Sequence, residues 1–212
     1  MTESEITITI NDEQYTREVE DRKLLIHFLR EDLDLTGSHQ GCVVGKCGAC
    51  TVLHNGVPKK SCMLYASQLD GDEITTVEGL ADRAKDEGIA MEASDGTELH
   101  PLQMGFKQLH GLQCGFCTPG MLMNSLELLE SNPEASRTEI KDAISGNICR
   151  CTGYNSIVDS IEWAGHVLEE GEPPESFEGA LTKELSTVTL DDGDQPVPDG
   201  GCTLDDCCQD QE

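Results

Sequence analysis

Positive charge is what this chain has least of. In 212 residues, 14 lysines and arginines stand against 41 aspartates and glutamates, a formal net charge of −27. Twelve of those acids and one base lie from Gly171 onward, which leaves 29 acids and 13 bases, or −16, on residues 1–170. A field of that sign repels phosphate backbones and anionic headgroups, and so excludes nucleic acid and membrane surfaces as partners. Acidity spread over the whole body with few lysines is also one way to remain soluble in strong salt, so a salt-loving source is expected. Long apolar runs are missing as well. No window approaches the roughly 18 consecutive apolar residues of a membrane span. The opening "MTESEITITIND" is acidic and alternating, so no secretory leader is expected and the chain is expected to be cytoplasmic.

What the chain has in excess is cysteine, eleven in all. In a reducing compartment that number argues for metal or redox chemistry rather than a disulfide framework. The cysteines fall into three groups, at 42–62, at 114–151, and a last set of Cys202, Cys207 and Cys208.

The first group lies in a mixed α/β unit, residues 4–80. "EITITI" alternates Ile6, Ile8 and Ile10 with polar residues, the period of a half-buried strand. A turn at "ND" leads to a second strand through Tyr15 and Val19. "RKLLIHFLREDL" then places Leu24, Leu25, Phe28 and Leu29 at helical spacing. Asn55–Gly56 between two short runs marks a hairpin, and "EITTVEGL" supplies another strand. Two strands, a helix and further strands is the order of a ubiquitin-like β-grasp. Residues 81–110 are polar with no firm period, and read as an exposed linker containing a short helix.

Residues 111–170 read as all-helical. Pro119 begins a helix that Asn132–Pro133 stops, Ser136 and Glu139 stand at capping-box spacing, and "YNSIVDSIEWAGHVLEEG" is a third amphipathic helix ending at Gly171. Residues 171–212, acidic and poor in large apolar groups, are expected to be a disordered tail. The fold class is therefore α+β: an N-terminal β-grasp domain followed by an all-α helical-bundle domain.

In the first group Cys42, Cys47 and Cys50 are spaced C-x4-C-x2-C, with Cys62 after the hairpin. That is the plant-type 2Fe–2S spacing, and the interleaved Gly41, Gly45, Gly48 and Ala49 let backbone N–H groups approach sulfur. A four-cysteine zinc site is the rival, but such sites use two C-x2–4-C knuckles and Cys62 has no second cysteine near it. In the second group "QCGFC" and "CRC" place two cysteine pairs before helices, where helix amino termini favour thiolates. They could close one four-thiolate site, on spacing alone either iron–sulfur or zinc.

Together "GCVVGKCGACTV", "QCGFCTPGM" and "GNICRCTGY", in that order, resemble the small iron–sulfur subunit of the molybdenum hydroxylases, the xanthine oxidase family that includes aldehyde oxidoreductases and aerobic carbon monoxide dehydrogenases. The resemblance covers about residues 4–170. It implies a ferredoxin-like β-grasp domain with one 2Fe–2S cluster on Cys42, Cys47, Cys50 and Cys62, and a helical domain with a second on Cys114, Cys117, Cys149 and Cys151. It also implies that Gln113 hydrogen-bonds the pterin of a molybdopterin cofactor held by a large subunit, and that the Cys151 sulfur approaches the pterin amine. FAD would sit on a medium subunit facing the β-grasp cluster, so electrons would run from molybdenum through both clusters to FAD in a hetero-oligomer. Two features depart from the family pattern: a longer, more acidic connection at 82–98, and the tail with Cys202, Cys207 and Cys208, read as surplus thiols.

Other residues say less. His39 beside the first group is expected to be a solvent-facing loop histidine, His100 to open a helix, and Trp163 to be packing. Arg150 either offsets thiolate charge or meets a neighbouring subunit. The chain is thus expected to be the electron-transfer subunit of an oxidoreductase, with no catalytic residue of its own. The alternatives are a free-standing ferredoxin-like carrier, and more remotely a zinc-binding module.

Overall fold

The computed structural model describes residues 2–174. The expectations for Cys202, Cys207, Cys208 and the acidic tail lie outside these residues.

The alternating isoleucines form β1 (Glu3–Ile10), whose buried face carries Ile6, Ile8 and Ile10. It pairs antiparallel with β2 (Glu13–Glu20) across the Asn11–Asp12 turn, in a register from Glu3 opposite Glu20 to Ile10 opposite Glu13. β3 (Thr51–His54) and β4 (Val57–Lys60) are the hairpin around Asn55–Gly56. β5 (Glu73–Thr75) closes the sheet, parallel to β1 and antiparallel to β3. The order is β2-β1-β5-β3-β4. The isoleucines pack on Leu25, Phe28, Leu29, Val52, Leu69 and Ile74 as the first core.

The helix expected over "RKLLIHFLREDL" is shorter than its pattern. Leu24 stays extended and bridges Tyr65, while α1 covers Leu25–His27 and then widens into a π-helical turn over Phe28–Asp32. The cause is tertiary pairing. Leu25 N–H donates to the Leu64 carbonyl (2.8 Å), and Ala66 N–H donates to the Lys23 carbonyl (2.9 Å), so the chain is held straight where a helix would begin.

Residues 81–110 are also more ordered than expected. They contain α2 (Leu80–Asp86), a small hairpin of β6 (Met91–Glu92) and β7 (Glu98–Leu99), and α3 (Pro101–Gln108). Ala84, Leu102, Met104 and Phe106 from this stretch, and Leu80 at its edge, are buried, all but Ala84 in the second core. Short elements with only a turn or two each leave no periodic stretch long enough to read.

α4 (Thr118–Ser131), α5 (Arg137–Ala143) and α6 (Asn155–Glu170) follow as expected. Ser136 and Glu139 form the reciprocal capping box, and Gly171 ends α6 with φ +78°. Asp159, a buried carboxylate on α6, pairs with Arg137 of α5 at 2.7 Å, and Glu162 binds the same guanidinium. β3 fastens the two halves together. Its Val52 faces the first core and its Leu53 the second, so both faces of one strand are buried. Burying Leu53 fully contributes about 1.5–3 kcal/mol to holding the helical half against the sheet.

Candidate iron–sulfur sites

The 41–50 loop is bent around one sulfur. Val43 is held at φ +54°, a conformation costly for a β-branched residue, and Gly45 and Gly48 also have positive φ. The bend aims three backbone N–H groups, from Val44 (3.5 Å), Lys46 (3.3 Å) and Cys47 (3.3 Å), at the Cys42 Sγ. These donors hold the Cys42 thiol at about 6, far below its usual value. Cys50 and Cys62 lie deeper, under Ile26 and beside the half-buried Leu24 and Val43. Burial pushes Cys62 up to about 11, and its contact with the Cys50 thiol adds to the rise. Lys60 reaches over the loop to the Gly45 carbonyl at 2.8 Å.

In the second site Cys117 caps α4 and is buried, Cys149 is half-buried, and Cys114 and Cys151 are exposed. The Cys151 and Cys114 sulfurs are 3.5 Å apart. The Phe116 N–H holds Cys114 below its usual value, while sharing a proton with Cys114 raises Cys151. Burial pushes Cys117 up to about 12, with the Cys149 thiol as its nearest partner. Burial also disfavours the Cys149 thiolate, but the Thr152 hydroxyl, 3.3 Å away, and neighbouring backbone groups outweigh it, so that thiol lies below its usual value.

The thiols therefore come in pairs: Cys42 with Cys47, Cys50 with Cys62, Cys114 with Cys151, and Cys117 with Cys149. Paired thiols suit a binuclear cluster, in which each iron takes two thiolates. The loop N–H groups turned toward sulfur suit it too.

The two sites touch through backbone. Ile148, next to Cys149, donates its N–H to the Cys47 carbonyl at 2.9 Å. The Asn147 amide donates to the Gly48 carbonyl at 3.0 Å and accepts from Asn124 of α4 at 2.5 Å. Tyr154, itself at φ +71°, offers its hydroxyl oxygen to the Cys149 N–H at 2.8 Å and donates to the Asn147 carbonyl. His39 joins the loops a second time. Its ring stacks on Phe116 with centroids 4.9 Å apart, and its Nδ1–H donates to the Phe116 carbonyl at 2.9 Å. It is thus a bridge between loops rather than the solvent-facing histidine expected. Asn147 and Tyr154 were present in "GNICRCTGY"; the role of Asn147 depends on its contact with a loop a hundred residues earlier, whereas Tyr154 braces its own loop from within.

Gln113 is exposed beside the exposed Cys114 and Cys151 pair, and no other described residue binds its amide. Arg150 is also exposed, and Trp163 is buried in the second core. Exposed apolar side chains lie on the segments of both sites: Val44 and Met63 at the first, Leu112, Phe116 and Ile148 at the second.

Residues 8–81 match the family described as a 2Fe-2S iron-sulfur cluster binding domain, and residues 76–162 match a second, described as a 2Fe-2S binding domain. The chain is 46% identical over 157 residues to the nicotine 6-hydroxylase small subunit of Paenarthrobacter nicotinovorans, covering 74% of this chain and 87% of that one. It is 45% identical over 160 residues to the caffeine dehydrogenase subunit gamma of a Pseudomonas species, covering 74% and 88%. Quinoline 2-oxidoreductase of Pseudomonas putida 86 contains a chain of the same fold, with TM-score 0.70 and 42% identity, covering 80% of this chain and 98% of that one. In the aldehyde oxidoreductase of Desulfovibrio gigas the likeness has TM-score 0.70 and 35% identity, and spans 18% of a longer chain.

Proposed function

The chain belongs to the family of iron–sulfur small subunits of the molybdenum hydroxylases, and from that premise we propose that it passes electrons from a molybdenum–pterin large subunit to an FAD-bearing medium subunit. Cys42, Cys47, Cys50 and Cys62 hold one 2Fe–2S cluster, and Cys114, Cys117, Cys149 and Cys151 hold the other. When bound, each cluster takes up and releases a single electron, and the chemistry on substrate belongs to the partner. The observation that carries this reading is the bond from Ile148 N–H to the Cys47 carbonyl, which joins a ligand of one site to the neighbour of a ligand of the other. The chain's own contribution is to fix the two thiol sets side by side and to exclude water from the inner thiols Cys50, Cys62 and Cys117.

Surface chemistry supports the subunit over the free carrier. Leu112, Phe116 and Ile148, each within two residues in sequence of a thiol of the second site, are exposed, and a carrier working alone would leave them in water. Gln113 stands among them with its amide free for the pterin, and the exposed Arg150 is placed for a subunit contact. Val44 and Met63 offer a second face at the first site, for the flavin-bearing partner. The working assembly is a cytoplasmic hetero-oligomer whose substrate is chosen by the large subunit.

The holo-complex should contain about four irons and four labile sulfides per copy of this chain, with two distinct EPR signals on reduction. Gln113→Ala should leave both clusters assembled and reducible by dithionite, while reduction of the helical-domain cluster by substrate slows. Half the iron with one signal in fully loaded protein would refute the two-cluster assignment. Normal substrate-driven reduction in Gln113→Ala would return the free carrier to favour.

A further inference from the structure

Cations are scarce in this chain, and three half-buried ones, Lys23, Arg83 and Arg137, each bind a carboxylate. Lys60 is half-buried too, yet among the described residues no carboxylate lies within ion-pair distance of it. Its Nζ donates instead to the Gly45 carbonyl at 2.8 Å. A Cβ at Gly146 would lie 3.7 Å from the same nitrogen, so the charge is lodged between the two cysteine loops. Pairing with Thr51 of β3 fixes the lysine's backbone at the end of β4.

The Gly45 carbonyl is one end of a peptide group whose other end is the Lys46 N–H. That N–H donates to the Cys42 Sγ at 3.3 Å. A peptide group is one conjugated plane, so a cation on its oxygen draws electron density from its nitrogen and makes the N–H a stronger donor. The plane also turns as one body, so a tether at the oxygen fixes where the N–H points. Ammonium, peptide and sulfur thus stand in one chain of hydrogen bonds.

We propose that Lys60 is a positioning residue for the β-grasp cluster: it holds and polarises the Gly45–Lys46 peptide against the Cys42 sulfur, and so raises that cluster's reduction potential. This rests on the assignment of the first thiol set as 2Fe–2S ligands. Reduction adds negative charge beside sulfurs that are already anionic, and both a stronger donor and a nearby cation stabilise it. A higher potential here favours movement of an electron from the helical domain into the β-grasp domain, the direction proposed above.

The test is an EPR-monitored redox titration of the holo-protein at one fixed pH, wild type beside Lys60→Met, Lys60→Arg and Lys59→Met. Methionine keeps an apolar stem and loses cation and donor, whereas arginine keeps both. Lys59 is the exposed neighbour, whose loss removes the same charge. Iron and sulfide content of the wild type checks the cluster assignment, and the midpoints check Lys60, so the two can fail separately. Lys60→Met should load fully and lower the β-grasp cluster's reduction equilibrium constant about tenfold, a shift of about 59 mV for one electron. The helical-domain cluster should shift less, Lys60→Arg should stay close to wild type, and Lys59→Met should barely move either midpoint. With lysine isotopically labelled at its backbone nitrogen, the hyperfine coupling of Lys46 to the reduced cluster should weaken in Lys60→Met and persist in Lys60→Arg. If Lys60→Met fails to load, Lys60→Gln reads the same shift. An unchanged β-grasp midpoint or an unchanged Lys46 coupling in a loaded variant without the cation overturns the proposal, as does an equal fall in Lys59→Met or Lys60→Arg.

Discussion

Single atoms decide how closely the two sites approach. A Cβ added at Gly120, in the first turn of α4, would lie 2.1 Å from the Gly48 carbonyl oxygen and 2.8 Å from the Asn147 amide nitrogen. That carbonyl is already committed, accepting from Thr51 N–H at 3.0 Å, the Thr51 hydroxyl at 2.7 Å and Asn147 at 3.0 Å. Helix propensity alone would favour alanine over glycine by about 1 kcal/mol. Overpacking against backbone that cannot rotate away costs about 1–3 kcal/mol, and the loops must part to admit the methyl. Gly120→Ala should therefore lower the unfolding free energy despite its better propensity. It should also weaken the magnetic coupling between the two reduced clusters in EPR, because the contact it wedges open is the one between them. A more stable variant with unchanged coupling would show that the loops yield without cost.

At the scale of elements, α3 carries an acid-sensitive cap. His100 is its N-cap: Nδ1 accepts the Leu102 N–H at 3.1 Å, and Gln103 returns a bond to the His100 N–H at 3.0 Å. Burial lowers the His100 pKa to about 4. The folded state thus keeps the imidazole neutral while the unfolded chain protonates near the ordinary value. Between about pH 6.5 and 4 the unfolded state binds more protons, so stability falls as pH falls through that window and levels off below it, by about 3 kcal/mol in all. His100→Asn keeps a good capping residue and removes the titration. Its unfolding free energy should be flatter from pH 6.5 to 4 than that of wild type, and parallel slopes would mean another group is responsible. The same element shows where the sequence stopped being legible. His100–Pro101 announced a helix start, but α3's place in the core depends on its packing against α6 and has no local signal. The long helices with caps, α4 to α6, could be read from period and punctuation alone. α1 could not, because Leu24 is held extended by Tyr65, forty residues away. The cysteine spacings named the candidate thiols, yet Asn147 and His39 acquire meaning only once the loops are juxtaposed.

For the whole molecule the dominant fact is charge. A net −27 over 212 residues means that compaction brings like charges together, and the cost grows as salt is withdrawn. Salt acts in both directions. It screens this repulsion, and it also weakens attractive pairs such as Arg83 with Glu87 and Glu130, or Lys85 with Asp82 and Glu98. Exposed pairs of that kind contribute at most about 1 kcal/mol each. With 41 acids and 14 bases, most carboxylates have no cation to lose, so relief of repulsion wins. The Debye length falls from about 10 Å at 0.1 M to about 3 Å at 1 M, so much of the gain should come within that range. Unfolding of the holo-protein by urea, which leaves ionic strength unchanged, should show a midpoint that climbs from low to molar KCl. Chloride is preferable to sulfate here, because sulfate strengthens apolar burial in any protein and would mask the charge effect. A midpoint that stays level or falls from low to multimolar KCl would mean that the acidity is solvated without strain, and the salt-loving reading of the composition would be wrong.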